Sequence, residues 1–161
     1  MRVGFGYDAH AFVEGKALFL GGLRILHERG LLGHSDGDVL LHAISDALLG
    51  AAGLQDIGAH FPDTEKNIEG IESGKILGRV VELVRTEGFE IVNVDAVVVC
   101  EAPKVRPYRD EMRSSIARIM AVDVARINVK GKTTEGMGFA GRKEGIESYA
   151  VCLLEYRSAH G

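Results

Sequence analysis

Tryptophan is missing from this 161-residue chain, and cysteine is scarce: Cys100 and Cys152 stand alone, in no Cys-x-x-Cys pair. That spacing speaks against a redox or metal role for either thiol. Both cysteines fall in apolar, strand-like stretches, where a free thiol behaves as a small hydrophobe. Only three prolines occur, and no Pro/Gly/Ser-rich linker or repeat interrupts the chain, so a single domain over 1–161 is expected. No apolar run approaches the ~18–20 residues of a membrane span. The N-terminus enters a strand-like pattern directly, without the marks of a signal or transit peptide. With the free thiols, this places the chain in the cytoplasm, or in the plastid stroma as a mature form whose leader has been removed. A net charge of −4 argues against a general nucleic-acid surface, so neither nucleic acid nor membrane is expected as a partner.

What is present is core. Hydrophobic residues make up 46% of the chain, enough to bury a substantial interior. Residues 1–12 read as a strand and 17–25 as a second strand or hairpin. Ser35 reads as an N-cap with Asp38 at the capping-box position, opening a helix that runs to about Gly53. Residues 55–71 form a polar loop long enough to be functional. An amphipathic helix follows over about 73–87, with Ile76, Leu77, Val80, Val81 and Val84 on its apolar face. Then come a strand over 91–100 and a helix over about 106–121, with Arg109, Arg113 and Arg118 outward and Met112, Ile116, Ile119 and Met120 inward. A strand at 127–130, a Thr/Gly-rich turn at 132–141 and a strand at 145–156 complete the chain. This mixture predicts an α+β fold, a mixed β-sheet with helices on one face. The other sheet face then needs a cover, which predicts self-association.

The chemistry concentrates near the N-terminus. In Gly6-Tyr7-Asp8-Ala9-His10 the acid and the imidazole are two apart, so on a strand they project to one side. His42 lies in the helical run that follows Gly33-His34-Ser35-Asp36-Gly37-Asp38. One carboxylate and two imidazoles fill three positions of a tetrahedral zinc site and leave the fourth for substrate. An Asp-x-His pair alone is more often a surface or core feature, but here the helix adds support. Asp38, His42 and Asp46 form one stripe at i, i+4 and i+8, and a ligand histidine commonly donates its second ring nitrogen to such a carboxylate.

Three segments suit phosphate. Gly33-His34-Ser35 precedes a helix N-terminus, where free amides favour an anion. Lys132-Thr133-Thr134-Glu135-Gly136-Met137-Gly138-Phe139 offers hydroxyls, glycine-exposed amides and a carboxylate able to hold Mg²⁺ against phosphate oxygens. Lys104 and Arg142 add cations.

These segments come in a telling order: Asp8-x-His10, Gly30 through Val39, His42, Asp46-Ala-Leu-Leu-Gly-Ala, Asp56-Ile-Gly, Phe61-Pro-Asp-Thr, Asn93-Val-Asp95, Ala102-Pro-Lys104, Thr133-Thr-Glu135, Gly138-Phe139 and Gly141-Arg142. Over essentially its whole length the chain resembles the 2-C-methyl-D-erythritol 2,4-cyclodiphosphate synthases. The resemblance implies a homotrimeric lyase of the non-mevalonate (MEP) pathway of isoprenoid biosynthesis, its sheets facing a threefold axis and its active sites between subunits. Such an enzyme takes a small-molecule cytidine diphosphate substrate, 4-diphosphocytidyl-2-C-methyl-D-erythritol 2-phosphate, and forms the cyclic diphosphate and CMP. By match to the family's motifs, Asp8, His10 and His42 hold Zn²⁺ or another divalent transition metal, and Glu135 holds Mg²⁺ or Mn²⁺ bridging the substrate phosphates. His34 and Thr133 stabilise the transition state. Substrate is met by Asp8, His10, His34 and Ser35, by Asp56, Ile57 and Gly58, and by Phe61, Pro62, Asp63, Thr64 and Glu65. Cys100, Ala102, Pro103, Lys104, Val105 and Arg106 form the cytidine pocket, with Lys132, Thr133, Thr134, Glu135, Phe139 and Arg142 beside it. Departures from the family pattern are few: Gly136-Met137 replaces a larger polar residue and a leucine, and Glu65 and Glu101 stand at variable places. The competing readings are a zinc-dependent phosphohydrolase of a nucleoside diphosphate derivative, and a non-catalytic binding module whose zinc would need a fourth protein ligand.

Overall fold

Alternation along the first strand, β1 (Arg2–Val13), sets the architecture: Gly4 and Gly6 are buried on one face while Val3, Phe5 and Tyr7 are exposed on the other. The computed structural model describes residues 1–62 and 72–157. A small hairpin, β2 (Leu18–Leu20) and β3 (Leu23–Ile25), and a short β4 (Gly30–Leu31) lead into α1 (Val39–Ala52) and the single turn α2 (Ile57–His60). Then follow α3 (Ser73–Thr86), β5 (Phe89–Val99), a 3₁₀ turn running into α4 (Arg109–Met120), β6 (Ile127–Lys132), the short α5 (Gly138–Gly141) and β7 (Gly145–Tyr156). The main sheet has the order β4-β1-β7-β5-β6. Its β5–β6 pair is parallel and the rest antiparallel, so the single-domain α+β fold with a mixed sheet is as expected. A register shift between Ile91 and Asn93 resets the alternation of β5, so that Ile91, Val94, Ala96 and Val98 are all buried.

Helix α1 is the hub. It is buried nearly all round; His42, Asp46 and Gly50, one stripe four residues apart, are its only positions not fully buried. Each of its buried leucines and Ile44 stabilises the fold by ~1.5–3 kcal/mol. Ala43, Ala47 and Ala51 face β1, and the approach is close: a Cβ at Gly6 would lie 1.9 Å from the Ala43 carbonyl oxygen, and one at Gly4 1.9 Å from that of Ala47. Only glycine admits the helix backbone this near the strand. The helix ends at Gly53, in the left-handed region with φ 78°, as its glycine predicts.

The helix start corrects the sequence reading. Asp38, not Ser35, is the N-cap of α1: its carboxylate accepts from Leu41 N at 3.1 Å, and also from Gly21 N at 3.0 Å and Gly22 N at 2.7 Å. Ser35 instead accepts from Gly37 N. Burial pushes the Asp38 carboxyl above its ordinary value, although the amides favour its charge. The anion site expected at this helix N-terminus is therefore filled by the protein's own side chain. The outward arginines of α4 differ too: Arg109 Nε donates to the Val129 carbonyl and Arg113 Nε to that of Ile127, pinning the helix to β6.

The helices leave one sheet face bare. Val3 is 69% exposed, Phe5 61% and Val151 45%, with Tyr7 and Tyr149 in ring contact beside them. The alternate residues Val98, Ala150, Cys152 and Leu154 turn toward the helices and are buried.

Candidate metal centre and substrate pockets

The same alternation that puts Gly4 and Gly6 under α1 puts Asp8 and His10 there, one and two steps further along β1. The close strand–helix approach then brings His42, on the open stripe of α1, against them. Asp8 Oδ2 lies 2.8 Å from His10 Nε2 and 3.0 Å from His42 Nδ1. The two imidazoles are 3.2 Å apart. These are the residues among those described whose ligand atoms converge as a metal site. One carboxylate oxygen and two imidazole nitrogens, half-buried on rigid elements, fit a divalent metal with an open coordination position. Burial opposes the charge on Asp8, but the hydrogen bonds and charge of the two histidines prevail and hold its carboxyl at about 2. Burial likewise works against a protonated His10, and its bond with Asp8 overcomes this and raises its pKa above the ordinary imidazole value.

The far side of His42 departs from expectation. Neither Asp38 nor Asp46 takes its second nitrogen. Nε2 faces Ser73 Oγ at 2.9 Å and Ser35 Oγ at 3.3 Å, while Asp46 accepts from Ile57 N at 2.8 Å and so fixes the start of α2. Burial raises the Asp46 carboxyl's pKa, partly offset by that amide.

A cavity of about 240 Å³ opens over the cluster, lined by Asp8, His10, His42, Gly33, His34 and Ser35 on one side and Ile57, Gly58, Phe61 and Ile76 on the other. Asp56 lines no part of it and caps α2, accepting from Ala59 N at 2.9 Å. Asp63, Thr64 and Glu65 lie outside the described residues. A second cavity, about 150 Å³, is formed by Cys100, Pro103, Lys104, Val105, Arg106, Gly131, Lys132 and Thr133. Ala102, joined to Pro103 by a cis peptide bond, contributes no lining atom. Burial pushes the Cys100 thiol up to about 11 and that of Cys152 to about 12, so both are inert thiols, as read from their apolar settings.

Beyond the second cavity, the 133–137 turn presents Glu135 exposed at φ 54°, with Thr133 Oγ1 donating to its Oε1 at 2.9 Å. A single exposed carboxylate fits a Mg²⁺ ion that takes its other ligands from phosphate and water. The amides expected to be open here are partly used: Glu101 accepts from Thr134 N at 3.1 Å and Gly136 N at 3.3 Å. Arg142 is paired with Glu144 at 2.7 Å, and neither it nor Phe139 lines either cavity. Sequence reasoning misses Gly4, Gly6, Ser73, Ile76, Glu101 and Gly131 as parts of the site. Two kinds of signal point to some of them. Glycines alternating on a strand mark a close backbone approach, and a serine opening an amphipathic helix in register with its apolar face marks a buried hydroxyl.

Residues 1–155 match the model of the YgbB family. A 2-C-methyl-D-erythritol 2,4-cyclodiphosphate synthase from Syntrophobacter fumaroxidans is 58% identical over 96% of this chain and 97% of its own length. The chain belongs to the YgbB family. Its fold agrees with solved structures. A 2C-methyl-D-erythritol-2,4-cyclodiphosphate synthase with CDP bound superposes with a TM-score of 0.88 at 38% identity, over 96% of this chain and all of that one. The bifunctional IspDF from Campylobacter jejuni superposes with a TM-score of 0.93 at 44% identity; there the chain spans 42% of the longer protein. No helix among the described residues is long and apolar enough to cross a membrane.

Proposed function

We propose that this geometry performs the reaction of the 2-C-methyl-D-erythritol 2,4-cyclodiphosphate synthases: ring closure of 4-diphosphocytidyl-2-C-methyl-D-erythritol 2-phosphate, with release of CMP. The chain is then a phosphorus–oxygen lyase of the non-mevalonate pathway. The observation that carries this is the converged Asp8–His10–His42 cluster facing a cavity with an apolar wall of Ile57, Phe61 and Ile76. An oxygen of the substrate's 2-phosphate attacks the β-phosphorus, the bond from that phosphorus to the α-bridging oxygen breaks, and CMP leaves with that oxygen. No side-chain nucleophile is needed; placement and charge neutralisation suffice. Asp8, His10 and His42 would hold Zn²⁺, which supplies Lewis-acid polarisation of a phosphate oxygen when bound. Glu135 would hold Mg²⁺, offsetting charge on the diphosphate. His34 and Thr133 sit at the rims of the two cavities and donate toward the transferring phosphate. Ser35, Ile57, Gly58 and Phe61, with Pro62, enclose the methylerythritol. The 100–106 backbone receives the cytidine, with Lys104 and Lys132 near its phosphates.

A homotrimer completes this site. The two cavities share no lining residue. The strand registers set Asp8, Ser148, Val98 and Gly131 in one row, three strand spacings or about 14 Å across. Burying the bare face of Val3, Phe5, Tyr7, Tyr149 and Val151 against two copies would bring the 100–106 cavity of one subunit to the metal cavity of the next. Exposed apolar surface of this kind marks an association face. We place the reaction in the cytoplasm. The test is ³¹P NMR of the products formed by zinc- and magnesium-loaded protein. Cyclic diphosphate plus CMP supports the assignment, and a linear bisphosphate plus CMP would mean a hydrolase.

A further inference from the structure

Behind His42 lies a chain of contacts that the reaction itself does not call on. Asp36 accepts three hydrogen bonds: from Asp38 N at 3.1 Å, from Ser73 N at 3.1 Å, and one from Ser73 Oγ. Ser73 is fully buried and is the first residue of α3. Its Oγ stands between Asp36 and His42 Nε2, 2.9 Å from the latter.

Donor inventory sets the direction of the Ser73–Asp36 bond. A carboxylate only accepts, so the Ser73 hydroxyl hydrogen points to Asp36. The Ser73 oxygen is then free to turn a lone pair to His42 Nε2. With a metal held between Asp8 and His42, Nδ1 gives its lone pair to the metal and Nε2 carries the proton, which this acceptor, with Ser35 Oγ beside it at 3.3 Å, receives. The ring cannot flip to present Nε2 without placing a C–H against Ser73.

We propose that Ser73 and Asp36 are positioning residues for the metal centre, acting through His42. Asp36 orients the Ser73 hydroxyl, and the hydroxyl fixes the orientation and tautomer of the imidazole. The link also ties the start of α3 to the metal ligand on α1, so that three elements share one polar chain: the 33–38 loop, α1 and α3. The carboxylate–histidine arrangement common at metal sites is thus present with a serine inserted, and its acid comes from the loop before the helix.

This inference rests on the metal reading above, and one experiment separates the two. Zinc dissociation constants are measured by competition with a chromophoric chelator for the wild type, His42→Ala, Ser73→Ala, Ser73→Thr, Asp36→Asn and the Ser73→Ala/Asp36→Asn pair. In parallel, long-range ¹H–¹⁵N spectra of the zinc-loaded proteins report the His42 tautomer. His42→Ala should abolish site-specific binding; if it does not, the metal assignment itself fails. With that control in place, Ser73→Ala should weaken zinc ten- to a hundredfold and expose the Nε2 proton to rapid solvent exchange. Asp36→Asn should do so less strongly, because its amide group must face one of two backbone donors. The pair should be no worse than Ser73→Ala alone, since both act along one path. Ser73→Thr, which keeps the hydroxyl, should restore binding relative to alanine. Wild-type zinc affinity in Ser73→Ala and Asp36→Asn, or additive losses in the pair with an unchanged His42 spectrum, would overturn the proposal.

Discussion

The contact between β1 and α1 makes a sharp demand on one residue that touches no ligand. In Gly6→Ala the new Cβ would sit 1.9 Å from the Ala43 carbonyl oxygen and 2.6 Å from Ala47 N. Ordinary contact begins near 3.4 Å, so helix and strand must separate by about 1.5 Å. Both partners are backbone, which has no rotamer to yield. Overpacking of this kind costs about 1–3 kcal/mol, and a domain of this size loses about 2–4 °C in Tm per kcal/mol. The more telling effect is at the metal. Asp8 and His10 ride on the strand and His42 on the helix, and their ligand atoms now lie within 2.8–3.2 Å of one another. A retreat of the helix by half that distance pulls one ligand from the set. Gly6→Ala should therefore weaken zinc at least tenfold, beyond the loss in Tm measured without metal. Gly78→Ala, on α3 with open space at its Cβ, serves as the control and should be neutral or slightly stabilising, since alanine is the better helix former by about 1 kcal/mol. Chelator competition and thermal melts with and without zinc supply both numbers. Unchanged zinc affinity in a folded Gly6→Ala protein would refute the claim that this glycine contact sets the ligand geometry.

Other outcomes follow from the site. Glu135→Gln should retain zinc but require far more Mg²⁺ for half-maximal rate; an unaltered Mg²⁺ titration would sink the two-metal assignment. Zinc affinity should fall as pH drops below the raised pKa of His10, toward one decade per pH unit, because the proton and the metal compete for the ring, while Asp8, held at about 2, stays ionised throughout. The metal-free fold should show the opposite sign: stability gained from the His10–Asp8 pair is complete below the ordinary imidazole value and lost as pH rises through the raised one. A pH-independent zinc constant between 5 and 8 would count against the linkage. Finally, inactive Asp8→Ala and Glu135→Ala proteins should regain partial activity when dissociated and reassembled together, since some interfaces then carry neither lesion; mixed trimers seen by native mass spectrometry without activity would place each site within one chain.

Much of this molecule is legible in its sequence. Period-two alternation marks β1 and β7, the apolar stripe Ile76, Leu77, Val80, Val81 and Val84 marks α3, and Gly53 marks the end of α1. The candidate metal cluster is legible for the same reason: Asp8 and His10 share a strand face, and His42 sits on a helix whose phase is set by its apolar residues. The start of α1 is not. Ser35 and Asp38 fit a capping box locally, but Asp38 is claimed by the amides of Gly21 and Gly22, and no local pattern shows a hairpin folding back on a helix end. The His42–Ser73 contact spans 31 residues and is equally out of reach of local patterns.

The misread positions have a common cause. Sequence logic offers Asp38 and Asp46 as partners for His42 and leaves Glu101 as a bystander. In the structure each spends its carboxylate on backbone amides: Asp38 on three, Glu101 on two and Asp46 on one. Asp36 takes two more. These bonds fix the loops that border the two cavities, and they surround each negative charge with N–H dipoles. That matters for a site that must receive a substrate with several phosphates. A net charge of −4 would repel such a ligand if its acids faced the cavities bare. With these carboxylates turned into loop anchors, Asp8 and Glu135 are, among the described residues, the two that face the proposed metals, where a negative charge attracts a cation and, through it, the phosphates.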